Sequence, residues 1–297
     1  MSAVSHDVVP VTDAPTLRRA IVEAEERLSE TGVASPRHDA EEIAAHLLRV
    51  SRGDLWRYID DEPPVGFADL VRRRSMRVPL QHITGQAHFR TISLAVGPGV
   101  FIPRPETEVV VEFALTMLHE SANRRPLVVD LCAGSGAIAL AIATEFPGAR
   151  VHAVENDPGA LPWLRRNVKH ADMLVSESDI DGCLEQSPSQ FDLVIANPPY
   201  IPTDAVPREL EVARHDPGLA LYSGADGLGH IRTVERTAAR LLRPDGIVVV
   251  EHADEQGQSA PQIFRDARDW QDVRDHRDLT GRDRYLSARR SSTNKNS

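Results

Sequence analysis

From Leu127 onward, short apolar runs alternate with helical stretches, and this alternation constrains the fold more than any other feature of the chain. The runs are Leu127 to Leu131, Val151 to Val154, Leu174 to Ser176, Phe191 to Ala196 and Gly246 to Glu251. Such a pattern implies a parallel sheet with helices on both faces. The expected fold class is therefore α/β, a Rossmann-like, mostly parallel sheet. Asp278 to Ala288 adds two short strands turning near Gly281-Arg282, an antiparallel hairpin at the sheet edge.

Ahead of this region the period changes. Ala14 to about Val78 is helical, with Leu17, Ile21, Ala24 and Leu28 spaced along one face and Gly32 as a stop. Ser35-Pro36 supplies an N-cap and a first-turn proline before Ile43, Leu47 and Leu48. Asp60 to Pro64 breaks the chain, and Phe67 to Arg77 forms a third helix. From Gln81 to Val100 the residues alternate and include Gly85, Gly97, Pro98 and Gly99, which suits a hairpin linker. The expected organisation is a helical bundle over 1–80, a hairpin linker over 81–102, a catalytic domain over 103–290 and a polar tail over 291–297.

Composition narrows the function classes. With 41% hydrophobic and 26% charged residues, the chain is neither disordered nor a membrane protein by expectation, and no apolar run reaches spanning length. Met1 to Pro10 lacks a basic stretch followed by an apolar one, so the cytoplasm is the expected location. The formal net charge of -10 weakens any case for sequence-independent nucleic-acid binding. Arg72, Arg73, Arg74 and Arg77 form a local basic cluster, expected to be a solvated helix face. Cys132 and Cys183 lie far apart without a metal-ligand pattern, and His82, His88, His215 and His252 show no ligand spacing, so no metal is expected.

Val128 to Leu140 is a strand, a small-residue turn and a helix start. Gly134 and Gly136 let the backbone pass close to a ligand, and the helix end offers unpaired N–H groups. The G-x-G-x-x-G spacing of a dinucleotide site is absent, and Asp130 ends the strand with a charge unsuited to phosphate. A carboxylate there fits a cationic ligand, and S-adenosylmethionine carries an amino group and a sulfonium. Glu155 ends the next strand, where an acidic side chain can accept hydrogen bonds from ribose hydroxyls. Alone, the loop also suits an ordinary strand-to-helix turn; with Glu155 the adenosyl site is the stronger reading.

The strand Phe191 to Ala196 runs straight into Asn197-Pro198-Pro199-Tyr200. Two prolines remove two donors and stiffen the loop, leaving carbonyl oxygens as acceptors. Asn197 adds a side-chain acceptor and Tyr200 a flat face. Such a surface suits a planar NH₂ group held in line with a methyl donor. An amide nitrogen is a poor nucleophile, so acceptors that polarise its N–H bonds would stabilise the transition state more than the ground state. Phe101 to Glu108 admits two readings: an extended lead into a helix beginning near Glu106, or a wall of the active site with Arg104 pairing an acidic group.

Asn197 to Tyr200 resembles the Asn/Asp-Pro-Pro-Tyr/Phe motif of class I S-adenosylmethionine-dependent methyltransferases that act on exocyclic or amide nitrogens. Phe101-Ile102-Pro103-Arg104-Pro105-Glu106-Thr107-Glu108 looks like the signature of the release factor glutamine methyltransferase (PrmC/HemK) family. Pro79 to Gly85, His215-Asp216-Pro217 and Ala220 to Leu228 look like that family's pattern too. The resemblance implies that Ala133, Gly134, Ser135, Gly136, Ala137, Glu155 and Asn197 contact S-adenosyl-L-methionine, with Asp179 and Ile180 by the adenine. It further implies that Asn197, Pro198, Pro199 and Tyr200 hold a glutamine of the Gly-Gly-Gln motif in class 1 release factors, methylated on N5. The helical bundle would dock the factor or merely stabilise the fold, and a monomer is expected. Ile180 departs from the family's frequent aromatic residue, and Cys132 from its commoner glycine. The alternative activity is an adenine N6 methyltransferase on DNA or RNA, which would need stacking aromatics and a basic channel; aromatic residues are only 5% of the chain.

Overall fold

The computed structural model describes residues 15–292, so the expectations for Met1 to Pro10 and for the tail from 293 lie outside the described residues. The chain divides between Thr84 and Gly85 into two compact units.

In the first unit, α1 (Leu17–Glu30) starts at Thr16, whose hydroxyl accepts from the Arg19 N–H. It ends before Gly32, whose φ of 74° lies in the left-handed region. Pro36 opens α2 (Pro36–Leu48), and a 3₁₀ turn follows over Arg52–Arg57. Then come α3 (Phe67–Ser75) and α4 (Leu80–Thr84). Leu17, Ile21 and Leu28 pack on Ile43, Leu55, Phe67 and Val71 as one apolar core. Trp56 is left 69% exposed on the 3₁₀ turn, with the Arg57 guanidinium over its ring.

The arginine cluster is not a uniformly solvated face. Arg74 is buried and donates to Asp39 Oδ2 at 2.6 Å, while Arg77 closes the end of α1 through the carbonyls of Thr31 and Gly32. Position on α3 explains this, because Arg74 lies three residues after the buried Val71 and shares its inward face. The residues read as the start of a hairpin linker also differ: 81–84 belong to α4, nucleated by Pro79, whose carbonyl accepts from the N–H groups of His82 and Ile83.

The second unit begins with an antiparallel hairpin, β1 (Gln86–Phe89) and β2 (Ile92–Ala95), followed by α5 (Pro105–Glu120). After α5 the chain alternates as read: β3 (Leu127–Leu131), α6 (Ala137–Glu145), β4 (Arg150–Glu155), α7 (Leu161–Asn167), β5 (Met173–Glu177) and β6 (Phe191–Ala196). Short α8 (Leu210–His215) precedes α9 (Gly229–Leu241), β7 (Leu242–Glu251), α10 (Ser259–Asp266), β8 (Trp270–Arg277) and β9 (Asp283–Arg290). The seven-stranded sheet has the order β5-β4-β3-β6-β7-β9-β8. Strands β3 to β7 are parallel, and β9 runs antiparallel to both of its neighbours.

Side-chain alternation feeds two cores. Val128, Leu193, Ile195 and Val249 face one, with residues of α5 and α6; Val129, Leu131, Val194 and Val250 face the other, with residues of α9 and α10. The edge hairpin is longer than expected. Its first strand ends at Arg277, one residue before the Asp278 at which the sequence reading began it, and the turn is closed by Asp278 Oδ1, which accepts from the Thr280 and Arg282 N–H groups.

Candidate active site

The chain passes outward from β3 to β5, then returns to place β6 on the other side of β3. That reversal opens a crevice at the carboxyl ends of the central strands, the usual ligand position in such sheets. A cavity of about 870 Å³ lies there, lined by the ends of β3, β4, β6 and β7 and by residues 101–107.

The glycine loop forms one wall. Cys132, Ala133, Gly134, Ser135 and Ala137 line the cavity. Gly134 and Gly136 have φ of 55° and 82°, and so does Cys132 at 64°, a conformation costly for a residue with Cβ. Gly136 sits behind the wall, where a Cβ would stand 2.7 Å from Leu164 Cδ1. Glu155 grips the loop: its Oε2 accepts from the Gly134 N–H at 2.7 Å, and its Oε1 from the N–H groups of Asn156 and Asp157, both at 2.8 Å. Asp179, exposed, and Ile180, buried, line the cavity beside it.

Asp130 is placed differently from the expectation. It is fully buried and does not line the cavity. Parity puts it on the face of Val128, beneath α6, where Oδ2 accepts from the Ala139 N–H at 3.0 Å. Oδ1 has no partner, and burial pushes the carboxyl well above the ordinary range, which favours the uncharged form. It therefore anchors the amino end of α6 rather than meeting a cationic ligand. The same burial, with Glu155 and Asp130 nearby, holds the Cys132 thiol protonated.

Asn197, Pro199 and Tyr200 form the facing wall, with Pro198 packed behind them. Asn197 Nδ2 donates to Thr107 Oγ1 at 3.2 Å, and Oδ1 accepts no hydrogen bond from the described residues. The Tyr200 carbonyl already accepts one hydrogen bond, from Gln256 Nε2 at 3.0 Å. A Cβ on Gly227 would strike that same carbonyl, so the loop is braced from two sides. Phe101 to Thr107 walls the cavity, and Arg104 donates to Asp216 Oδ2 at 2.7 Å while its guanidinium lies over the Phe101 ring. The Asp216 side chain is buried, and burial outweighs Arg104 to push its carboxyl up to about 6.

Glu251 and Gln256 at the site escaped the sequence reading, and Thr107 entered it only as part of the segment Phe101 to Glu108. Glu251 lines the cavity yet is 1% exposed, and burial pushes its carboxyl up to about 7 against the hydroxyl of Thr107. A signal existed, since Glu251 ends an apolar strand as Asp130 and Glu155 end or nearly end theirs, at the same sheet edge as Asn197.

Residues 19–85 match the family model of the PrmC N-terminal domain, and residues 92–212 that of the methyltransferase small domain. A release factor glutamine methyltransferase of Streptomyces coelicolor is 51% identical over 278 residues, which cover 91% of this chain and 96% of that protein. The chain belongs to the release factor glutamine methyltransferase family. Its relatives include a 4-amino-L-phenylalanine/4-methylamino-L-phenylalanine methyltransferase of Streptomyces pristinaespiralis, 40% identical and covering 86% of this chain and 90% of that protein. The family's fold is also that of the T. thermophilus 16S rRNA methyltransferase RsmC, solved with AdoMet and guanosine: TM-score 0.51, 21% identity, covering 69% of this chain and 49% of that one.

Proposed function

We propose that the chain transfers the methyl group of S-adenosyl-L-methionine to the side-chain amide nitrogen (N5) of the glutamine in the Gly-Gly-Gln motif of class 1 release factors, giving N5-methylglutamine and S-adenosyl-L-homocysteine. The observation that carries this is the state of Asn197, whose Nδ2 is committed to Thr107 so that Oδ1 serves as the acceptor at the cavity wall. An acceptor there suits the NH₂ of a carboxamide.

In this proposal the cofactor lies along Ala133, Gly134, Ser135 and Ala137, with Asp179 and Ile180 at the adenine. A carboxylate offers about four acceptor positions, and Glu155 spends three on backbone N–H groups. The fourth would be open to a ribose hydroxyl. Ile180 supplies an apolar contact rather than a stacked ring. The sulfonium would supply the methyl group: its S–C bond breaks as the N–C bond forms, S-adenosyl-L-homocysteine leaves neutral, and the target nitrogen then gives its extra proton to solvent water.

The amino-terminal helical unit docks the release factor. The enzyme works as a monomer in the cytoplasm, without a metal. The test measures methyl transfer from labelled S-adenosylmethionine to a purified class 1 release factor, with its loop glutamine intact or replaced by alanine, and in parallel to DNA and to 4-amino-L-phenylalanine. Label on the intact factor alone is the expected result; label on DNA or on the free amino acid instead would replace the proposal with an adenine or arylamine enzyme.

A further inference from the structure

Glu251 ends β7 on the face of Val249, the face that α5 covers. It is almost completely buried, and its Oε2 has no hydrogen-bond partner. Asn197 Nδ2 donates to Thr107 Oγ1 at 3.2 Å, and the Glu251 carboxylate lies close enough to the Thr107 hydroxyl and the Asn197 amide for each to favour its ionised form. Three side chains from α5, β7 and the loop after β6 thus close a triangle in the cavity wall.

The chemistry of each group fixes the direction in which the three can bond. An ionised carboxylate only accepts. Thr107 must then give it the hydroxyl proton, which leaves the oxygen's lone pairs to accept one N–H of Asn197. The second N–H goes to Glu251. Both amide protons are consumed, and Oδ1 is turned toward the cavity. A protonated Glu251 reverses the triangle, because its O–H and the Thr107 O–H both suit Oδ1 as acceptor. The terminal amide torsion is soft and roughly twofold, so the group can turn over. It would then present its own NH₂ to the target NH₂, donor against donor.

The geometry points to Glu251 as a positioning residue that decides which end of the Asn197 amide meets the target nitrogen. The inference rests on the methyl transfer proposed above. Several charged or titratable groups face Glu251: Arg284 of β9, Glu106 of α5 and Tyr200 after β6, whose phenol burial keeps protonated. Tyr285 of β9 lies opposite it in register. Burial dominates this balance, and the folded carboxyl titrates near 7. The working form is the ionised one, so turnover is retained above that value and lost as pH falls through it.

The experiment follows kcat and KM for methylation of a purified class 1 release factor against pH, with saturating S-adenosylmethionine, for the whole chain and its Glu251→Gln, Thr107→Val and Thr107→Ser variants. The unaltered protein should show an acid limb with its midpoint near 7. Glu251→Gln should lose the limb and run about tenfold slower on the plateau, with KM moved by less than about threefold, since the loss falls on the transition state. Thr107→Val should slow the plateau while keeping an acid limb, because Glu251 still titrates, and Thr107→Ser should restore the rate. A limb that survives in Glu251→Gln, or a loss confined to KM, overturns the inference while leaving the methyl transfer standing. If Glu251→Gln fails to fold, the Thr107 pair decides alone, and equal rates for valine and serine overturn it. A release factor left unlabelled at every pH overturns both.

Discussion

Cys132 holds a side chain at a backbone angle, φ 64°, that L-residues occupy at a cost of about 1–2 kcal/mol. Cys132→Gly should therefore stabilise the protein by up to about 1 kcal/mol after the extra freedom of glycine in the unfolded chain is subtracted. Thermal unfolding would read this as a rise of about 2–4 °C. Asn197 is the opposite kind of residue: its oxygen accepts no hydrogen bond from the described residues, and in the proposed reaction it meets the target amide. Asn197→Ala should lower kcat by about two to three orders of magnitude while S-adenosylmethionine affinity, measured by calorimetry, stays within a few-fold. Retained turnover would remove the amide from the mechanism. Residue identity made the place of Gly134, Glu155 and Asn197 in the cavity wall legible in the sequence, because each stands in a loop or at a strand end with no other evident use. Asp130 was misread for want of parity, since alternation along β3 sends its carboxyl under α6 rather than into the cavity. The same alternation, applied along β7, would have brought Glu251 under α5.

At the scale of elements, β3 and β6 were readable to the residue, because a strand buried on both faces is almost wholly apolar. β8 was not, because Trp270–Arg277 is an edge strand whose exposed positions carry charge, so its pattern is that of a loop. Contacts between elements distant in sequence were beyond reach in most cases, as with Thr107 of α5 against Asn197. The Arg104 pairing was anticipated in kind but not in partner. It ties the start of α5 to the turn after α8, and Asp216 is 1% exposed at its side chain. Removing a partner from such a buried pair leaves an uncompensated charge. Since the Asp216 carboxyl titrates near 6, the ion pair is complete above that value and lost as pH falls through it. Arg104→Met should thus destabilise the protein by about 2 kcal/mol at slightly alkaline pH, and the gap should close near pH 5 as Asp216 takes up a proton. Denaturant unfolding at the two pH values checks this; a gap of equal size at both would show that Arg104 acts by packing on Phe101 alone.

For the whole molecule, a docking role for the amino-terminal unit has a kinetic consequence. A short peptide bearing Gly-Gly-Gln presents the reacting amide but none of the surface a bundle could hold. Its KM should exceed that of the intact release factor by about tenfold or more while kcat changes less, because remote contacts add binding in the ground and transition states alike. Equal KM values would confine recognition to the cavity. The two units can also be watched separately. Of the three tryptophans in the chain, Trp56 alone belongs to the first unit and stands in water, whereas Trp270 is enclosed at the sheet edge with its indole N–H on Glu235. Their fluorescence therefore differs in colour, red-shifted for Trp56 and blue-shifted for Trp270. An arriving partner that covers the first unit changes one emission and leaves the other alone, so the protein carries an optical reporter of docking without any added dye.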